Sequence, residues 1–263
     1  MTRLIALCYH HPMGYFFTQQ DDIPYGMGYE LFGPAHLFSM AVTLTCVILL
    51  IIFFIRSGAD KRKKILIAIP VLMLILEIIK DLILAMNHRF GIGYLPLHMC
   101  SFGMLIFLLQ RFLKNEKAKA YFGEVAFILI LPAGLFGLIF ADWTIYYPVL
   151  NFFNIHGYIW HGLLIAYPIL IIINRDVAPD IKHIHYVLSF ILIVTVPVFI
   201  FDKIFNCNYL FINRPVPDSP LSLMASYMGN PGYLAGYLFM LISVILFMYL
   251  ISSIWSRAQK RLG

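Results

Sequence analysis

Charge is what this chain has least of. Asp, Glu, Lys and Arg make up 12% of its 263 residues, about half the roughly 25% usual in soluble domains. With a mean hydropathy of +0.85, that scarcity excludes an ordinary soluble domain. Four cysteines are too few for a disulfide framework, leaving Cys8 and Cys207 as one candidate pair. Signal-peptide character is missing as well. The run Leu4–Cys8 is ended by His10 and His11, short of the roughly 7–15 apolar residues such a core needs. Residues 1–35 are therefore expected to be mature sequence, lying outside the membrane. No short-period repeat or low-complexity stretch interrupts the chain. No zinc-type spacing occurs either: His156 and His161 are five apart, not the i, i+4 pair that shares a helical face. No metal or cofactor is expected. The net charge of +6 does not imply nucleic acid, because the basic residues flank apolar runs and suit lipid headgroups.

What is present is hydrocarbon. Residues of hydrophobic type reach 61%, and about 20 consecutive apolar residues cross a bilayer as a helix. Seven stretches meet or approach that length: 36–55, 64–86, 94–113, 121–140, 153–174, 184–202 and 232–254. An all-α bundle of about seven transmembrane helices follows, forming a single integral membrane domain over 1–263. Six spans with a re-entrant segment is the alternative, since Pro96 opens the third stretch and Pro132, Gly134 and Gly137 interrupt the fourth. Arg56 with Lys61–Lys64, then Arg111 with Lys114–Lys119, then Arg175 with Lys182, then Arg257 with Lys260 and Arg261, fall on alternate connections. Positive-inside bias puts those connections and the C-terminus in the cytoplasm and the N-terminus outside. The long outer loop 203–231, stiffened by Pro215, Pro217 and Pro220, reads equally well as a linker or a lid. Its Leu221–Met224 run is expected to form a short helix.

Ionisable residues inside an apolar slab are costly and mark function. Leu95-Pro96-Leu97-His98-Met99-Cys100 places an imidazole and a thiol at the start of a span. At ~1.5 Å rise per residue, Cys100 lies roughly 9 Å from the outer end, His161 roughly 12 Å and Glu77 roughly 13 Å. Lys80, Asp81 and His156 are shallower, and Asp202 sits at the mouth. These depths converge on a pocket opening outward. A thiol beside an imidazole suits nucleophilic catalysis, with Cys100 as nucleophile, His161 as base and Glu77 or Asp81 orienting the imidazole. His98 faces away from Cys100 on a regular helix, and Ser101 is turned about 100° from it. Glu77, Lys80 and Asp81 share one helical face, which fits mutual neutralisation or a path for protons. The cytoplasmic half shows no matching carboxylate, which argues against a continuous transport path.

Glu77, the Leu-Pro-Leu-His-Met-Cys motif, His161-Gly162 and the later Asn208-Tyr209-Leu210-Phe211 with Pro215 and Ser219 resemble the YwaF-like bacterial integral membrane proteins. That group is placed with the transmembrane protein 164 family, described as containing a cysteine-dependent phospholipid acyltransferase. The resemblance extends over residues 35–250. It implies a lipid acyltransferase or acyl hydrolase of the cell membrane, acting on phospholipid through Cys100 and His161. His156-Gly157 competes for the role of His161, and His98 for the column of Cys100. His98, His156, Lys80, Asp81, Asp202, Asn208, Tyr209 and Arg214 are the expected supporting residues. The rival from another class is a transporter or lipid-binding protein using the Glu, Lys, Asp and His cluster. Oligomeric state is left open.

Overall fold

The computed structural model describes residues 12–262, and no strand occurs among them. The helices are α1 (Pro34–Arg56), α2 (Ala59–Met86), α3 (Met99–Phe112), α4 (Glu116–Val125), α5 (Leu131–Ile139), α6 (Phe152–Ile173), α7 (Ile184–Phe205), α8 (Pro220–Met228) and α9 (Tyr233–Leu262). A π turn, Ala126–Ile130, joins α4 to α5. Five helical stretches are long and apolar enough to cross a membrane: α1, the unit Glu116–Ile145, α6, Ile181–Phe205 and Tyr233–Arg257. α2 has the length but carries Glu77, Lys80 and Asp81. α3 has 14 residues, which span only about 21 Å.

Two boundaries differ from the sequence expectation, and proline explains both. The third stretch is not helical from residue 94. Ile92–Tyr94 form a 3-10 turn, and Leu95 and His98 are extended before α3 begins at Met99. Pro96 disfavours helical geometry at the residue before it, and the Leu97 N–H folds back to the Leu95 carbonyl at 2.8 Å. The fourth stretch is two helices. Pro132 has no N–H to give and its ring crowds the carbonyl four residues back. The Leu131 N–H instead reaches Ala126, five residues back, the widened ring of a π bulge. The expected short helix in the outer loop is there and longer, as α8. Ser219 caps it, with Ser222 closing a reciprocal capping box.

α6 is the axis of the bundle. It packs against α1, α2, α3 and α5, and 61% of its apolar window is buried, as is 67% of the Glu116–Ile145 unit. For α1, α7 and α9 the share is 17–22%. Their exposed Ile48, Phe53, Ile193, Val196, Phe239 and Leu246 form extended apolar surfaces of the kind that mark a membrane or protein contact. Membrane helices associate through close packing rather than water exclusion, so small residues mark the contacts. A methyl at Gly103 would stand 2.3 Å from Leu164, one at Gly134 2.9 Å from Leu164, and one at Gly162 3.0 Å from Thr43. These glycines set α3, α5 and α1 against α6. With α4 and α5 counted as one unit, the helices from α1 to α7 alternate direction, giving one end of the bundle where α1, α3 and α6 begin (the site end). The opposite end carries Arg56–Lys64 and Arg111–Lys119 (the basic end).

Candidate functional site

Because α3 starts late, its first turn lies partway along α6 rather than level with its end. The Trp160 indole N–H donates to the Cys100 carbonyl at 3.2 Å. Cys100 therefore sits in the first turn of a helix whose leading N–H groups have no intrahelical acceptor. His98, the N-cap, makes no side-chain cap bond. The Cys100 sulfur has the Ser101 hydroxyl and the backbone N–H groups of Cys100 and Ser101 around it. Ser101 is thus closer company to the thiol than its angular offset suggested.

The two histidines of α6 occupy different faces. His156 stacks on Trp160 at 5.4 Å between centroids and 22°, so one indole joins this imidazole to the backbone of Cys100. The Leu76 carbonyl of α2 lies near the ring as well. His156 Nε2 is buried with no hydrogen-bond partner. His161 points toward α5 instead. Its Nδ1–H donates to the Gly157 carbonyl at 2.7 Å, its ring stacks on Trp143 at 4.9 Å and 16°, and Nε2 abuts Gly137, where a methyl would come within 2.4 Å. Among the described residues no hydrogen bond joins Cys100 to either imidazole.

Glu77 is buried and takes a 2.6 Å ion pair from Lys80, three residues on. Lys80 also lies 3.4 Å from Asp81 Oδ1, an approach too poorly aligned to satisfy that oxygen as a hydrogen bond. Lys80 therefore neutralises Glu77 directly and lies close to Asp81 as well. Two sets of contacts stand here, Glu77–Lys80 within α2 and His156–Trp160–Cys100 between α6 and α3.

The late loop forms one wall of the site end. The Asn208 carboxamide accepts from the N–H groups of Asn213 and Arg214 at 3.1 and 2.8 Å. Asp202, fully buried, accepts from the Tyr209 N–H at 3.1 Å. The Tyr209 hydroxyl donates to the Ile92 carbonyl, and its ring packs on His98 at 4.8 Å. Burial pushes that phenol up to about 12, so it keeps its proton as a donor. The Asn208–Phe211 segment thus holds the entry to α3 in place, with His98 between Tyr209 and Phe211. Arg214 contributes its backbone, and its side chain is exposed. Cys8, the candidate partner of Cys207, lies outside the described residues.

Several participants were not anticipated. Trp143 and Asp142 follow an apolar run just as Asp202 ends one, a signal available in the sequence. Trp160 gave no signal, being one more aromatic in a span. His36 is fully buried, accepting from the Phe32 N–H and donating to the Leu138 carbonyl. One expectation is overturned: the half toward the basic end does hold a buried carboxylate. Glu124 of α4, 2% exposed, accepts from the Tyr249 hydroxyl at 2.9 Å and lies 3.1 Å from His183 Nδ1. Following the Lys117–Lys119 run, it had the appearance of an interfacial residue. Cys46 of α1 is exposed and faces an apolar groove beside α6. Among the described residues, no three His, Cys, Asp or Glu side chains gather as metal ligands.

The buried side-chain atoms without partners among the described residues are Asp81 Oδ1, Trp143 Nε1, Thr144 Oγ1, His156 Nε2, Asp202 Oδ2 and Asn213 Oδ1. All six lie toward the site end. Leaving such a group unsatisfied costs about 1–3 kcal/mol, so their gathering at one end marks a place built for water or a polar ligand.

A family model described as the TMEM164 family matches residues 31–249, and the chain belongs to that family. No curated protein and no solved structure matches it.

Proposed function

We propose that this TMEM164-family chain is a lipid acyltransferase, or acyl hydrolase, of the cell membrane that forms a thioester on Cys100. The observation that carries this reading is the thiol in the first turn of α3, joined through the Trp160 indole to His156, at the end of the bundle that holds the unpartnered buried polar atoms. In the proposed reaction an imidazole takes the Cys100 proton, and the thiolate attacks the ester carbonyl of a phospholipid. The ester C–O bond breaks, the thioester forms, and the imidazolium returns the proton to the departing lysolipid oxygen. A lipid hydroxyl or water, deprotonated by the same imidazole, then attacks the thioester and restores the thiol. The N–H groups that open α3 suit the developing oxyanion. Sequence alone favoured His161 as the base. His156, with a free Nε2 and a shared indole with Cys100, is supported better, with His161 a support braced by Trp143.

The reading includes seven spans, the five long apolar helices joined by α2 and α3, with the basic end in the cytoplasm and the site end outside. Thiol-reactive activity probes and lipid analysis of Cys100→Ala test it together. Loss of labelling with a changed lipid profile is expected, and unchanged labelling and lipids would remove Cys100 from the mechanism. His156→Gln is expected to lower turnover more than His161→Gln.

Glu124 supports a second reading, a transporter with one polar cluster in each half. Fully buried Ile106, Phe107, Ile128, Ile130 and Leu164 lie between the clusters, which weighs against it. Proteoliposomes separate the two, since a transporter carries solute or protons across a sealed bilayer and an acyltransferase changes lipid composition without flux.

A further inference from the structure

We propose that the furrow between α1 and α6 binds one phospholipid acyl chain lengthwise, with the glycerol ester at the site end. The furrow encloses about 350 Å³ and runs along two helices of membrane-spanning length and composition. Its lining on α1 extends from Phe38 to Leu50, a distance of about 18 Å at the helical rise. One leaflet of the hydrocarbon core is roughly 15 Å deep. The furrow is thus as long as one leaflet and begins at its polar edge.

Its chemistry is graded in the same sense as a phospholipid. Its few polar residues, Ser39, Thr43, Asn154 and Tyr158, all fall in the half near the site end, where ester oxygens lie, among the apolar Phe38, Val42, Val149 and Leu150. Tyr29, bonded to Asn154 at 2.9 Å and Tyr158 at 3.2 Å, fixes that polar cluster. From Cys46 and Val47 on α1 and Gly162 and Leu163 on α6, the lining becomes wholly apolar. Gly162 lets α1 approach closely at the floor. A chain with a polar end outward and a hydrocarbon tail inward fits this gradient, whereas a second copy's helix would bring apolar side chains against both halves.

The furrow is separate from Cys100. Successive α6 residues turn by about 100°, so Ile155, Ile159, Leu163 and Ala166 line the furrow while His156, Trp160 and Leu164 face α2 and α3. The proposal therefore rests on the membrane-spanning reading and not on the thioester mechanism.

The test uses the full-length protein in nanodiscs with phosphatidylcholine carrying a mid-chain diazirine, photolysed and mapped by peptide mass spectrometry. Adducts are expected to concentrate on residues 38–50 and 154–166 above the lipid-facing side of α9 at Leu238, Phe239 and Leu246. Cys46→Trp, a change at an exposed position, is expected to bring furrow labelling down to the α9 level while the protein stays monodisperse. Val42→Trp fills the same furrow nearer its polar end and is expected to do likewise, so failure of one variant to fold leaves the other decisive. Cys100→Ala is expected to leave the labelling unchanged. Even labelling of both faces, annular lipid only, would overturn the proposal, as would protein–protein crosslinks through the furrow or insensitivity to both tryptophans.

Discussion

Removing the Lys80 ammonium while keeping its stem, as Lys80→Met, tests whether the α2 charges are a neutralised structural group. Glu77 Oε1 receives 2.6 Å from Lys80 Nζ, and the two side chains are 10% and 15% exposed. Breaking one side of such a buried pair costs about 3–5 kcal/mol, because the remaining charge is left uncompensated. A shift of ~2–4 °C per kcal/mol for a chain of this size converts that cost into a fall in Tm of roughly 6–20 °C. Replacing both, as Glu77→Leu with Lys80→Met, removes the buried uncompensated charge, leaves only the more exposed Asp81 without its cation, and is expected to recover most of the loss. Thermal unfolding in bicelles, followed by intrinsic fluorescence across wild type, both single variants and the double, gives the coupling energy directly. A Lys80→Met shift below about 1 kcal/mol, the range of a solvated pair, would refute the reasoning and mean that water reaches Glu77. A double variant no better than the single would show that the loss does not come from an uncompensated Glu77.

Gly103→Ala places a methyl 2.3 Å from Leu164 Cδ2 and 2.9 Å from Ile130 Cγ2, so it is expected to cost about 1–3 kcal/mol as overpacking and to displace the first turn of α3. Gly93→Ala, with open space around it, serves as the control, and equal Tm values for the two would contradict the close α3–α6 contact. At the exposed surface, the Arg89 guanidinium bonded to Asp22 holds that carboxyl below its usual value of 3.8. A folded-state value depressed in this way contributes stability that is present above 3.8 and lost as pH falls through the folded value. Carbon-13 NMR titration is expected to move the Asp22 midpoint up toward 3.8 in Arg89→Gln, and an unmoved midpoint would remove the pair.

How much of this was legible in the chain depends on whether the physics is local. The bilayer demands apolar runs of fixed length, so the helical stretches and most of their ends could be read directly: α1 was expected at 36–55 and runs Pro34–Arg56, and α6 was expected at 153–174 and runs Phe152–Ile173. The sense of the charges, the self-neutralising face of Glu77 and Lys80, and the clustering of polar residues toward one end are likewise local or additive properties. Proline marked both places where the helix pattern failed, although not how the backbone would respond at Pro96 or Pro132. What the sequence does not contain is the rotation of each helix about its own axis. His156 and His161 stand one above the other by only about 7.5 Å on α6, yet five residues turn them onto different faces. Only the close packing permitted by Gly103, Gly134 and Gly137 decides that one shares an indole with Cys100 and the other is braced by Trp143. Glu124 could not be assigned for the same reason, since its partners Tyr249 and His183 come from distant helices that meet only in the folded bundle.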